Sequence, residues 1–103
     1  MSLLAVMTTI DSEEGAQSIA RALVEGKLAA CVQISSIRSL YRWDGDVQDD
    51  PELRLLIKTT RERYADVEAL IRELHTYDVP AIVAVDIAAA SKEYAQWVES
   101  ECL

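Results

Sequence analysis

The chain has few of the residues that usually carry catalysis or bind metals. It contains one histidine, His75, and two cysteines, Cys31 and Cys102, which lie far apart and form no C-x-x-C pair. It also has no G-x-S-x-G, phosphate-binding P-loop or H-E-x-x-H motif. These absences argue against an enzyme. Two separated cysteines are more typical of reduced thiols in a cytoplasm than of a disulfide framework.

Basic residues and long apolar runs are scarce as well. Ten basic residues against eighteen acidic ones give a net charge of −8, which would repel phosphate backbones and anionic membranes. No apolar run approaches the ~20 residues of a membrane helix, and the opening MSLLAVMTT has no basic segment or cleavage site of a signal peptide. We therefore expect a cytoplasmic protein of one domain, residues 1–103, without nucleic acid or membrane partners.

Apolar periodicity predicts a β-α-β-β-α-β order followed by a terminal helix. The predicted strands are 3–10, 29–43, a returning strand that ends with 53–59, and 81–87. The first helix is predicted to start at an Asp11 N-cap paired with Glu14, the second at TTRE (59–62), and the last at Ser91. Asp44-Gly45 suits a type I′ hairpin turn. This order is the ferredoxin-like split βαβ pattern of an α+β protein.

The predicted hairpin is too long for one small domain. Residues 30–43 would span roughly 45 Å when extended, whereas a compact domain of this length is only about 33 Å across. The arm must therefore bend or project. Its apolar side chains change from even to odd positions, which predicts a bulge between Ile34 and Ile37. A projecting arm tipped with Tyr41 and Trp43 predicts oligomerisation, because another subunit must cover it.

Four segments resemble a known family. AACVQI, SLYRWDGDV, ELRLLIKT and HTYDVPAIVAV occur in the order and spacing of the CutA family of divalent-cation tolerance proteins, and the likeness covers nearly the whole chain. The resemblance implies a ferredoxin-like subunit with a long hairpin and a C-terminal helix. It also implies a tight homotrimer in which the hairpins join sheets across subunits. The family is linked to tolerance of copper and other divalent metals.

The resemblance suggests metal candidates. Family members described as copper-binding use a first-strand cysteine and one or both of two adjacent histidines, and those positions here correspond to Met7, Leu74 and His75. His75 and Met7 are therefore the candidate metal ligands, for copper or another divalent cation bound weakly. The alternatives are that His75 lines a cleft or ends the helix near its negative pole, or that it acts in catalysis. No firm cofactor is expected.

Lys58 is the second candidate, because it follows three apolar residues in a predicted central strand. It could bind an anion or ligand in a cleft between subunits, together with Tyr77, Asp78 and Trp43. Alternatively, it extends to the sheet edge or pairs with a neighbouring subunit. Cys31 is expected to pack as a small hydrophobe, and Cys102 to be mobile.

These observations favour a trimeric, CutA-like binding or signalling protein associated with divalent metal tolerance. Its metal ion or small ligand would sit in intersubunit clefts. A structural scaffold for protein partners and an unrecognised enzyme are the alternatives.

Overall fold

The computed structural model describes residues 2–103 and confirms the ferredoxin-like α+β fold. Its antiparallel sheet has the strand order β2-β3-β1-β4. The strands are β1 Leu3–Ile10, β2 Cys31–Trp43, β3 Asp46–Thr60 and β4 Ile82–Asp86, and the helices are α1 Glu13–Glu25, α2 Tyr64–Leu74 and α3 Lys92–Glu101. A 3-10 turn, Arg61–Arg63, precedes α2. Within residues 2–103, no helix is long and apolar enough to cross a membrane.

Two of the three predicted helix starts were wrong. Ser12, not Asp11, is the N-cap of α1, and its hydroxyl accepts a hydrogen bond from the Gly15 N–H at 3.0 Å. The TTRE segment does not cap α2, because its two threonines still belong to β3 and Thr59 donates to the Leu28 carbonyl at 2.6 Å. The predicted Ser91 cap of α3 is confirmed, since Ser91 accepts from the Tyr94 N–H.

The core lies between one sheet face and the first two helices. Side chains alternate between the two faces of a strand, so even positions of β1 and odd positions of β3 point towards α1 and α2. The fully buried members include Val6, Ile10, Leu55 and Ile57 from the sheet and Ile19, Leu23, Val67 and Ile71 from the helices. The opposite face, called the outer face below, is covered within residues 2–103 at one end, where α3 packs on Leu3.

The predicted bulge in the long hairpin is absent. Pairing between β2 and β3 is one-to-one from Cys31↔Lys58 to Trp43↔Asp46, and it passes through Ser35 and Ser36 without interruption. The shift of apolar residues from even to odd positions has another cause. Val32 and Ile34 pack on the helix-side core, whereas Ile37, Tyr41 and Trp43 lie on the outer face. The apolar residues of β2 therefore move from the helix-side face to the outer face, and the pairing register with β3 stays the same.

The hairpin projects as an arm, defined here as residues 37–52, which lie beyond the last pair of β1 with β3, Ile10↔Leu53. It makes the molecule 45 × 25 × 21 Å. Strand β2 begins at 31 rather than 29, because the Ala29 N–H bonds to the Leu23 carbonyl instead of the sheet. At the tip, Asp44 and Gly45 have φ of 53° and 84°, as the predicted type I′ turn requires.

A buried threonine gives a stability prediction. Thr8 is 1% exposed, and its hydroxyl has no hydrogen-bond partner within residues 2–103. An unpaired buried hydroxyl is unfavourable, so the nearly isosteric Thr8→Val should raise the free energy of unfolding by about 1 kcal/mol. The measurement is chemical denaturation at a fixed protein concentration.

Thr59 is the matched control, because it is equally buried in the neighbouring strand but donates to the Leu28 carbonyl. Thr59→Val should lower the free energy of unfolding by roughly 1–3 kcal/mol, because it leaves that carbonyl unpaired. Equal effects of the two substitutions would contradict the prediction.

Candidate functional site

Both ring nitrogens of His75 are engaged by the backbone. Nε2 lies 2.8 Å from the Thr9 carbonyl oxygen on β1, and Nδ1 accepts a hydrogen bond from the Tyr77 N–H at 3.1 Å. A carbonyl can only accept, so the proton of the neutral ring sits on Nε2. His75 is also the C-cap of α2, with its own N–H bonded to the Ile71 carbonyl. The ring thereby fastens the end of α2 to β1.

The residues of one chain do not fit a divalent-metal centre. Met7 is half-buried on the outer face, two residues from Thr9, but a metal could reach His75 only by breaking one of its backbone hydrogen bonds. Within residues 2–103, no group of three or more His, Cys, Asp or Glu side chains is placed to hold a metal ion. His75 and Met7 stay predicted ligands only for a site completed by another subunit.

Tyr77 connects the loop after α2 to the base of the arm. Its hydroxyl donates to Glu52 Oε2 at 2.8 Å, and its ring lies 4.8 Å from that of His75. Burial, followed by the hydrogen bond to Glu52, raises the pKa of Tyr77 above its ordinary value. The phenol therefore stays protonated at neutral pH and acts as a donor. Asp78, the next residue, is exposed to solvent.

Lys58 lies on the outer face, paired with Cys31 on one side and Ala5 on the other. Its ammonium nitrogen is 3.5 Å from the Tyr94 hydroxyl and 5.5 Å from the centroid of the same ring. Lys58 is half-buried. The lysine is therefore held against α3, and it does not extend to a sheet edge.

Within one chain, the predicted cleft residues are spread along the molecule. Lys58 and Glu52, the partner of Tyr77, are six residues apart on β3, or roughly 20 Å. Trp43 is opposite Asp46, about 20 Å further along the strand. Lys58, Tyr77 and Trp43 can therefore meet only across a subunit boundary.

Sequence reasoning did not identify Glu52 and Tyr94 as partners of the candidate residues. Counting alternate positions along β3 places Glu52 and Lys58 on one face, so the shared face of these two residues could have been predicted from the sequence. The contact of Tyr94 with Lys58 could not have been predicted, because it depends on where α3 packs.

Both cysteines are free thiols. Cys31 is half-buried, and Cys102 is buried beside Leu3 and Val98. The expectation that Cys102 is mobile was wrong, since α3 folds back on the sheet and seats it there. Burial raises the pKa of the Cys102 thiol, so the thiol stays neutral. Cys102 therefore packs as a small hydrophobe.

The fold and its surface define a ferredoxin-like domain with a projecting arm that carries exposed apolar side chains, and with no metal centre formed by residues 2–103 alone. The CutA1 family model, described as "CutA1 divalent ion tolerance protein", matches residues 4–101. The chain belongs to this family.

Relatives and solved structures agree with the family match. A divalent-cation tolerance protein CutA of Thermus thermophilus is 48% identical over 94 residues, which cover 90% of this chain and 91% of the relative. The solved Thermus thermophilus structure aligns with a TM-score of 0.94 at 44% identity, covering 98% of this chain and 99% of that one. A CutA structure from Archaeoglobus fulgidus, titled a periplasmic divalent cation tolerance protein, aligns with a TM-score of 0.95 at 34% identity, with both chains fully covered.

Proposed function

We propose that the chain is a homotrimeric, non-enzymatic binding protein that acts in divalent-cation tolerance and holds its ligand between subunits. The observation that carries this proposal is the apolar surface of the arm. Leu40 and Val47 on its helix-side face are 65% and 64% exposed, and Trp43 on its outer face is 58% exposed. Apolar side chains on both faces of a two-stranded arm require cover on both faces.

The outer face of the sheet offers a complementary surface. Val83 and Val85 of the edge strand β4 are 54% and 50% exposed, beside the half-buried Met7. A second subunit that laid its arm there would bury apolar area on both partners. The subunit number of three follows from the family resemblance.

The predicted cleft supports the binding role. Lys58, Tyr77, Asp78 and Trp43 combine a cation, a phenol, a carboxylate and an indole, and they can converge only if arms reach across subunits. The ligand is a small molecule, or a metal ion whose ligands come from more than one chain. The relatives' names describe tolerance proteins and no reaction. We further propose that the protein acts in the cytoplasm.

Light scattering coupled to size exclusion tests the assembly. We expect about three times the chain mass of 11.5 kDa at micromolar concentration. Native mass spectrometry of protein purified from its own host reports the subunit number and any retained ligand together. A monomer would overturn the proposal. A trimer that carries only a partner protein would favour the scaffold alternative.

A further inference from the structure

We propose that Lys58 and Tyr94 form an oxyanion-binding site that takes the carboxylate or phosphate group of a small ligand. The inference rests on the proposed function, because it names the chemical class of the ligand in the intersubunit cleft. It assigns Tyr94 a role that neither the sequence analysis nor the family names provide.

The two side chains bring an ammonium and a phenol, both hydrogen-bond donors, close together. The Lys58 ammonium donates to the Tyr94 oxygen at 3.5 Å, and this leaves the phenolic hydrogen free to donate elsewhere. An ammonium has three donors, so at least one more can point to the same acceptor. Donation from Lys58 also polarises the phenol and strengthens the hydrogen bond that it can give.

The charge of Lys58 has no counter-ion among residues 2–103. Within residues 2–103, the five ion pairs all use arginine, and no carboxylate oxygen lies within 4.0 Å of the Lys58 nitrogen. A half-buried ammonium without a carboxylate partner loses hydration and gains only a weak hydrogen bond and a tyrosine ring. An oxyanion would restore the missing interaction, whereas the positive charge repels a divalent cation.

The surroundings of the pair suit a ligand with an apolar part. Lys58 lies between Cys31 and Ala5 in a row of cross-strand partners on the outer face, and Ala5 pairs in turn with Val85, which is 50% exposed. The Trp97 ring lies 5.7 Å from that of Tyr94 and is 43% exposed. An aromatic or branched carboxylate would contact this surface, while a free phosphate would not.

Nuclear magnetic resonance of lysine side chains in the full chain tests the site. The chain has three lysines, so the Lys58 signal can be assigned by substitution. Titration with sodium benzoate or inorganic phosphate should shift the Lys58 Cε signal saturably. In Lys58→Met, which lacks this signal, binding is followed at the Tyr94 ring signals, and the affinity should fall at least about tenfold, as expected for loss of a charge-assisted hydrogen bond. Lys27→Met, which removes an exposed lysine, should bind as the wild type does.

The two probes separate the ligand types. Tighter binding of benzoate supports a carboxylate with an apolar group, and tighter binding of phosphate supports a phosphate ligand. The absence of a saturable shift with either probe, or unchanged affinity in Lys58→Met at the Tyr94 ring signals, would overturn the proposal. Dissociation of the Lys58→Met assembly into monomers would also overturn the proposal, because it would show that Lys58 forms an ion pair with a carboxylate of the neighbouring subunit. If the oxyanion site fails these tests but the wild-type chain is trimeric, the proposed function still stands. If the wild-type chain is a monomer, the proposed function itself is refuted.

Discussion

Trp43→Ala should shift the proposed trimer towards monomer at the micromolar concentrations at which we expect the wild-type chain to be assembled. Trp43 is at the tip of the arm and is 58% exposed in the single chain. Burial of a large aromatic side chain against a neighbour contributes about 2 kcal/mol, so three copies contribute roughly 6 kcal/mol to a trimer. Light scattering across a dilution series measures the shift.

Trp97→Ala is the matched control for this experiment. Trp97 is also exposed, at 43%, but it sits on α3 with its ring against Tyr94 and is not part of the arm. Its removal should leave the mass at micromolar concentration unchanged. If Trp97→Ala dissociates the assembly more than Trp43→Ala does, then α3 carries the interface and the role assigned to the arm is wrong.

The order of the elements could be predicted from periodicity, because each of the first two helices carries one apolar stripe and the strands are recognisable as short apolar or alternating segments. The hairpin turn could be predicted as well, since Asp-Gly favours the positive φ values that type I′ requires. The bulge was a wrong inference. A parity change in apolar residues can mean a slipped register or a change of covered face, and the sequence around Ser35 and Ser36 does not distinguish them.

The candidate site was harder to predict, because its contacts join residues distant in sequence. His75 contacts Thr9 across 66 positions, and Lys58 contacts Tyr94 across 36. Neither partner has a motif that identifies it. The chemistry of a single histidine suggests metal binding as readily as a structural role, and only the position of the Thr9 carbonyl shows that its second nitrogen is already in use.

His75→Ala should cost stability and leave metal binding unchanged. The substitution removes the hydrogen bonds to the Thr9 carbonyl and from the Tyr77 N–H, which together contribute about 2 kcal/mol to the free energy of unfolding. Copper or zinc binding should be weak, micromolar or poorer, in both proteins, because both ring nitrogens are occupied and structural zinc normally takes four protein ligands. Denaturation and calorimetric titration measure the two effects.

His75→Gln separates the structural role from metal ligation. A glutamine amide can still donate to the Thr9 carbonyl, so part of the lost stability should return, whereas a weakly coordinating amide would not restore a copper or zinc site. Nanomolar, stoichiometric binding that both substitutions abolish would make His75 a true metal ligand. In that case another subunit must supply the remaining ligands, because residues 2–103 of one chain do not bring three together.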